Sequence, residues 1–281
     1  MPGENTLLKI ETRKDSFTRT ERVIANHVLD NHGKVIYMSL TELSDLLKVS
    51  EGSIVRFCQK LGFSGFHAFK IALATLESQE EKNLDHPFNP DDLEQLKHLV
   101  AHRNQTVIQE TCEFIAESNL KACVDLLQKA RKILIVGVGA SGITAQDAFY
   151  KFMRIGLNCQ TAADGHLQAM MAAQLGEGDV LMAFSQSGST LEIVDIARIV
   201  KNNGGAVVAI TGYERSPLAR FSDFALLTPT RESPFESGAL RSKVAQLYVL
   251  ELLSTALYWK NREGGNKVIQ ATADAVSRWI Y

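Results

Sequence analysis

The chain has no hydrophobic run long enough to cross a membrane, and its N-terminus lacks the apolar core of a signal peptide. We therefore expect a cytoplasmic protein without a membrane partner. Cysteine is scarce, and its four residues show neither CxxC nor Cys/His spacing. This scatter predicts isolated thiols rather than disulfides or a metal site. Neither charge sign dominates, because 30 Lys and Arg residues balance 32 Asp and Glu residues. Contact with nucleic acid would have to come from a local face.

Proline is also scarce, and its distribution suggests where the chain divides. With 281 residues, 45% of them hydrophobic, the chain is long enough for two globular domains. Two of the six prolines, Pro87 and Pro90, fall in a charged stretch that breaks the helical periodicity on both sides. The predicted domains are therefore 1–78 and 93–281, with a linker at 79–92. The core of the second domain is expected at about 130–260.

The segment before the linker predicts a set of short helices. Thr18 with Glu21 and Ser39 with Glu42 have the spacing of capping boxes, which predicts two helix starts. Gly33 is expected to end the first of these helices. The second helix is expected to bury a stripe of four leucines: Leu40, Leu43, Leu46 and Leu47.

A third short helix, 51–61, follows a tight turn at Val49 and Ser50, which is typical of a helix-turn-helix. Arg56 suits a bidentate contact with guanine or phosphate, and Ser53 suits a phosphate or a base edge. A helical bundle with an ordinary solvated face is the alternative. The polar positions predicted to contact DNA are Ser50, Glu51, Ser53, Arg56, Gln59 and Lys60.

Beyond the linker, the hydrophobic period changes from helical to alternating. Residues 93–129 predict a long helical region broken near 118–119. Short apolar strands then alternate with helices, which predicts a doubly wound parallel sheet, an α/β fold following the all-α first domain. The predicted strands are 132–136, 158–161, 180–185, 206–211 and 224–227. The predicted helices are 144–155, 167–175, 191–202, 217–220 and an apolar closing helix, 240–259.

The segment 185–190, SQSGST, is the most informative one in the chain. It joins a buried strand to the start of a helix, where unpaired N–H groups and the helix dipole favour an anion. Its hydroxyl groups add donors, and Gly188 lets a ligand approach the backbone closely. These features predict a phosphate or phosphosugar site, with a simple helix N-cap as the alternative.

A second turn, GVGASG at 137–142, follows the first strand. A lone GxGxxG is weak evidence for a dinucleotide, and Asp164 is the one acidic residue placed to bind a ribose. We therefore assign no cofactor. Ser141 in this turn and the segment 185–190 both follow parallel strands, so a ligand between them would lie near a topological switch point.

Two parts of the chain resemble known families. The run Ser50 to Lys70, SEGSIVRFCQKLGFSGFHAFK, resembles the signature of RpiR-type helix-turn-helix regulators, and the likeness extends back to 17–21 and 39–44. The motifs G-x-G-x-S and S-x-S-G-x-T resemble those of the flavodoxin-like SIS (sugar isomerase) domain. This resemblance implies that a phosphosugar binds here, with Ser141 contacting its sugar or phosphate. The residues implied to hold the phosphate are Ser185, Gln186, Ser187 and Thr190.

Together the resemblances imply a bacterial transcriptional regulator of the RpiR/MurR type, expected to repress a carbohydrate-utilisation operon. Its partners would be double-stranded operator DNA and a sugar phosphate. A homodimer or homotetramer is expected, because two DNA-binding heads read two half-sites. The helical segments 93–129 and 240–259 are candidate interfaces, with packing onto the sheet as the alternative.

A SIS-type sugar-phosphate isomerase or etherase with an accessory helical domain is the alternative function. Such chemistry needs a carboxylate, usually with a His or Lys, beside the sugar. Glu236 is a lone candidate, near Ser242 and Lys243. His166 and Asp164 are expected to be solvent-facing capping groups, with a place on the rim of the pocket as the alternative. We therefore assign no catalytic residue and no metal ligand.

Overall fold

The computed structural model describes residues 6–81, 92–230, 240–277 and 279. The chain divides into two compact units, with a boundary between Val100 and Ala101. Most of the predicted linker, 82–91, lies outside the described residues, and so does Glu236. Within the described ranges, no helix combines the length and apolarity needed to cross a membrane.

The first unit is helical, as predicted. Its helices are α1 (Thr6–Thr12), α2 (Arg19–Val35), α3 (Leu40–Leu47), α4 (Glu51–Lys60), α5 (Phe66–Glu81) and the first part of α6 (Leu93–Phe114). Both predicted capping boxes are present, so that Thr18 and Ser39 open α2 and α3. The prediction that Gly33 ends the first helix was wrong. The helix bends at Asn31, where φ is −139°, and then continues to Val35.

Aromatic packing holds the helix-turn-helix together. The ring of Phe57, on α4, lies edge-on to that of Phe17 at 5.4 Å and to that of Phe69 at 6.1 Å. Leu46, predicted to be buried, is 53% exposed. Successive helical residues are rotated by about 100°, so three residues bring Leu46 to about 60° from the direction of the fully buried Leu43. Leu46 therefore lies on the side of the helix that faces away from the core.

The second unit contains a five-stranded parallel sheet of order β2-β1-β3-β4-β5, which confirms the predicted fold class. The central strands are apolar runs because helices cover both faces of the sheet. The strands are β1 (Lys132–Gly137), β2 (Cys159–Thr161), β3 (Asp179–Phe184), β4 (Ala206–Thr211) and β5 (Phe224–Leu227). The helices that follow α6 are α7 (Glu117–Lys129), α8 (Gly139–Arg154), α9 (Gly165–Ala172), α10 (Leu191–Asn202), α11 (Pro217–Phe221), α12 (Leu240–Lys260) and α13 (Arg262–Ser277).

Several element bounds differ from the prediction, as for α9, which was predicted at 167–175 and ends at Ala172. The break between α6 and α7 falls at 115–116 rather than 118–119, and α13 was not predicted. The helix α8 begins at Gly139 rather than at Thr144, so Ser141 lies inside its first turn. Two glycines permit this early start: a Cβ on Gly137 would lie 2.7 Å from the carbonyl oxygen of Ser141, and a Cβ on Gly142 would lie 3.0 Å from the carbonyl oxygen of Gly137. Glycine therefore lets strand β1 pass directly into the helix.

Candidate functional site

The exposed face of α4 carries part of the predicted DNA contact set. The Ser50 hydroxyl caps α4 by accepting the N–H of Ser53, and the two hydroxyl oxygens are 2.8 Å apart. Arg56 donates to the Ser53 hydroxyl at 3.2 Å, and both Arg56 and Gln59 are exposed. This face therefore presents a guanidinium, an amide and a hydroxyl, which are groups that read base edges and phosphates.

Two other members of that predicted set are bonded within the unit. The Lys60 ammonium is 2.8 Å from the Glu21 carboxylate and donates to the carbonyl of Ser16 at 3.1 Å. This hydrogen bond from Lys60 is the main reason why the pKa of Glu21 is lowered. The Glu51 carboxylate accepts a hydrogen bond from the Thr41 hydroxyl at 2.7 Å. Lys60 thus ties α4 to the start of α2, and Glu51 ties it to α3.

The two glycine-containing turns of the second unit follow neighbouring strands. Strand β3 pairs with β1, and the sheet order reverses between them. The turns 137–142 and 185–190 therefore meet at the carboxyl edge of the sheet at its switch point. Gly139 and Gly188 both have φ of +58°, a conformation that residues with a Cβ rarely adopt.

The helices that begin at this switch point lack side-chain caps. Four described helices directly follow a strand. Asp164 caps α9 by accepting the N–H of Leu167, and Ser216 caps α11. At the start of α8 and of α10, by contrast, no side chain of the described residues accepts a first-turn N–H group. The simple N-cap considered for 185–190 is thus not formed, and the two uncapped ends suit an anion.

Hydroxyl groups and backbone N–H groups line the second turn. Ser185 is 3% exposed, and its hydroxyl donates to that of Thr190 at 3.3 Å. Ser187 accepts the N–H of Ser189. The N–H groups of Ser187 and Thr190 have no acceptor in the part of the chain that the structure describes. These two N–H groups are therefore neutral donors without a competing acceptor among the described residues.

Gln186, implied by the resemblance to hold phosphate, uses its side chain elsewhere. Its amide nitrogen donates to the carbonyl of Thr228 at 2.9 Å and to the Thr230 hydroxyl at 2.8 Å. Its amide oxygen accepts the Thr228 hydroxyl at 3.0 Å. The side chain therefore fastens the turn to the end of β5 and positions the hydroxyls beside it.

Gly188 lies against residues that the sequence interpretation did not identify. A Cβ on Gly188 would lie 2.1 Å from the Ser216 hydroxyl and 2.8 Å from the Thr211 hydroxyl. Both Ser216 and Thr211 are fully buried. The Ser-Pro pair at 216–217 was a sequence signal for a helix capped by Ser216, since proline favours the first position of a helix.

Ser141 has a partner that the sequence interpretation also missed. Its hydroxyl oxygen accepts a hydrogen bond from the amide nitrogen of Gln246 at 3.1 Å. Gln246 is fully buried on α12. The sequence signal for Gln246 was its place as a polar residue on the inner side of an otherwise apolar helix.

His166 is exposed near the start of α9, and the hydroxyl oxygens of Ser242 and Thr230 are 3.4 Å apart. Neither turn contains an ionisable side chain.

The chain matches two family models. The helix-turn-helix domain of the rpiR family matches residues 4–80, and the SIS domain matches residues 126–256. An uncharacterised HTH-type transcriptional regulator of Caldanaerobacter subterraneus is 34% identical over 274 residues, which cover 97% of each chain. The two family models thus match the helical segment that contains α4 and the segment that contains the parallel sheet.

Two solved structures are similar to this chain, one over nearly its whole length and one over about 60% of it. The Vibrio vulnificus NanR protein complexed with ManNAc-6P superposes with a TM-score of 0.86 at 30% identity, covering 98% of this chain and 99% of that one. A putative sugar-phosphate isomerase of Listeria monocytogenes superposes with a TM-score of 0.57 at 20% identity, covering 62% and 93%. This second likeness shows the fold alone.

Proposed function

Because this chain belongs to the rpiR family of helix-turn-helix transcriptional regulators, we propose that it represses a carbohydrate-utilisation operon under the control of a phosphosugar. Residues 1–78 would bind the operator in the cytoplasm, and 93–281, beyond the linker 79–92, would sense the sugar. The observation that carries the sensor role is the pair of uncapped helices, α8 and α10, at the switch point of the sheet.

The phosphate is proposed to cap α10. The Thr190 hydroxyl and the N–H groups of Ser187 and Thr190 would donate to its oxygens, since backbone N–H groups at a helix start bind anions well. The Ser185 hydroxyl would turn from Thr190 to the phosphate and donate as well. Ser141 would donate from the first turn of α8. Gly188 would admit the ligand to the backbone, and Gln186 would hold the turn in place. ManNAc-6P, the ligand in the NanR complex, is the first compound to test.

The DNA contacts are proposed to come from the exposed face of α4. Arg56 would reach a guanine or a phosphate, with Ser53 and Gln59 beside it. Ser50 would cap the helix, and Glu51 and Lys60 would keep it in place through their internal hydrogen bonds.

We propose that the chain works as a homodimer or homotetramer. Helix α6 is 22 residues long, yet only Val107 and Thr111 are buried on it. It exposes Ile108 and Phe114, which are 40% and 59% accessible. Bound phosphosugar would favour one arrangement of the subunits and so change the spacing of the DNA-binding heads, because only a difference in affinity between two states can shift their populations.

Gel mobility shift with the DNA upstream of the chain's own gene tests this function. We expect binding that weakens steeply with salt and changes when sugar phosphate is added. Arg56→Ala should abolish the shift but keep ligand-induced thermal stabilisation. Arg198→Ala, which removes an exposed arginine of the second unit, is the matched control and should bind normally. Ser185→Ala should bind DNA but no longer respond to ligand. Absence of any specific shift would refute the regulator.

A sugar-phosphate isomerase or etherase is the second candidate, favoured only by the shared SIS fold. Incubating the chain with the same panel of sugar phosphates and following products by NMR distinguishes the two functions. Turnover without specific DNA binding would establish the enzyme instead.

A further inference from the structure

The buried Gln246 is an unusual residue for its position. It lies on α12 among apolar side chains and is fully buried. Its amide nitrogen donates to the Ser141 hydroxyl, but its amide oxygen has no hydrogen-bond partner among the described residues. Burying an amide whose hydrogen bonds are incomplete costs stability, and an apolar side chain of the same size would avoid that cost. Packing alone therefore does not account for a glutamine here.

The contact with Ser141 has a chemical consequence. A serine hydroxyl has one hydrogen to donate and two lone pairs that accept. The N–H of Gln246 occupies one lone pair of Ser141. The hydroxyl hydrogen of Ser141 is thereby directed away from Gln246, and it has no acceptor in the described part of the chain. Ser141 is half-buried in the uncapped first turn of α8. Its hydroxyl is thus prepared to donate to a ligand.

We propose that Gln246 is a positioning residue that fixes the Ser141 hydroxyl as a hydrogen-bond donor and so selects an acceptor-only oxygen, such as that of a phosphate. This inference rests on the proposed phosphosugar site. Gln246 does not touch the ligand in this mechanism. It acts through Ser141: by donating to the hydroxyl oxygen, it keeps the hydroxyl hydrogen of Ser141 directed towards the ligand.

Gln168 is a matched control. It is also a buried glutamine with an unpartnered amide oxygen, and it is 1% exposed. Its amide nitrogen, however, donates to the backbone carbonyls of Gly137 and Ala162, and among the described residues it forms no hydrogen bond with a hydroxyl. Gln168→Met therefore removes a comparable buried amide and should lower stability, while affinity for ligand should stay within about twofold of wild type.

A double-mutant cycle on the full chain tests the inference, with ManNAc-6P and other hexose and hexosamine 6-phosphates as probes in isothermal titration calorimetry. We expect Ser141→Ala to weaken binding about tenfold, as for a lost hydrogen bond to an anion, and Gln246→Met to weaken it about threefold or more. In the Ser141→Ala background, Gln246→Met should have no further effect, because no hydroxyl remains to be oriented.

Each outcome bears on the inference. Equal affinity of Gln246→Met and wild type would overturn it, as would an equal loss in both backgrounds, which indicates a structural role. If Gln246→Met does not fold, Gln246→Leu replaces it. Leucine also cannot donate to Ser141, so the same loss of about threefold or more is expected, and unchanged affinity would overturn the inference. If wild type binds no sugar phosphate, the proposed function fails, and the inference fails with it.

Discussion

Replacing Gly188 by alanine should be unusually costly for a single methyl group. At φ of +58°, any residue with a Cβ costs about 1–2 kcal/mol. The added Cβ would also lie 2.1 Å from the Ser216 hydroxyl oxygen and 2.3 Å from its Cβ. Overpacking of this kind costs about 1–3 kcal/mol. We therefore expect Gly188→Ala to lower the free energy of unfolding by about 2–5 kcal/mol and to displace the turn that is proposed to hold phosphate.

Gly139 provides a matched control for the backbone component. It has the same φ of +58°, but a Cβ there would meet no atom of the described residues within 4 Å. Gly139→Ala should therefore cost only about 1–2 kcal/mol. Adding Ser216→Gly to Gly188→Ala removes the nearest clash, while glycine at a helix N-cap costs only a few tenths of a kcal/mol. The double variant should recover part of the lost stability.

Tryptophan fluorescence during urea unfolding is the assay. Both tryptophans, Trp259 and Trp279, belong to the second unit, so the signal reports that unit alone. If Gly188→Ala is no less stable than Gly139→Ala, the predicted clash is absent and the reasoning about this turn is refuted.

Three further predictions concern the rest of the chain. Lys48 has φ of 53°, a conformation that glycine adopts more readily than lysine, so Lys48→Gly should stabilise the first unit by about 0.5–1 kcal/mol. A lower melting temperature of Lys48→Gly, followed by circular dichroism, would contradict this prediction. Burial lowers the pKa of Lys70 from 10.5 to about 8. Between these two pH values the unfolded chain still binds the proton and the folded chain does not, so the free energy of unfolding should rise with pH in this range. Urea titrations should show this rise for wild type and not for Lys70→Met. The Arg131 guanidinium lowers the pKa of Asp179, which is 1% exposed, so this pair should stabilise at neutral pH and lose its effect as pH falls below 3.8. Asp179→Asn should be less stable at pH 7, and its acid unfolding should depend less steeply on pH than that of wild type, as followed by tryptophan fluorescence.

Local signals in the sequence predicted most of the fold. Thr18 and Ser39 mark helix starts because a side-chain cap is a short-range interaction, and both caps are formed. The apolar strands predicted the parallel sheet because strands buried on both faces are hydrophobic throughout. The end of α2 was misplaced because glycine only weakens a helix and does not stop it.

The site was predictable in part. Its hydroxyl-rich turn is a continuous motif, so the sequence identified the turn and its position at the sheet edge. The roles of Gln186 and Lys60 could not be foreseen, because their partners Thr230 and Glu21 lie 44 and 39 residues away in sequence. Such long-range hydrogen bonds depend on the packing of the whole unit.

The absence of ionisable side chains from the turns 137–142 and 185–190 has a consequence for how the two activities respond to their surroundings. Hydroxyl and N–H donors bind an anion without releasing counterions, so sugar-phosphate affinity should vary little with ionic strength. Operator binding, by contrast, displaces ions from DNA and weakens steeply as salt rises. A change in ionic strength should therefore act directly on how much operator is occupied, and on the sugar response only through the coupling between the two sites.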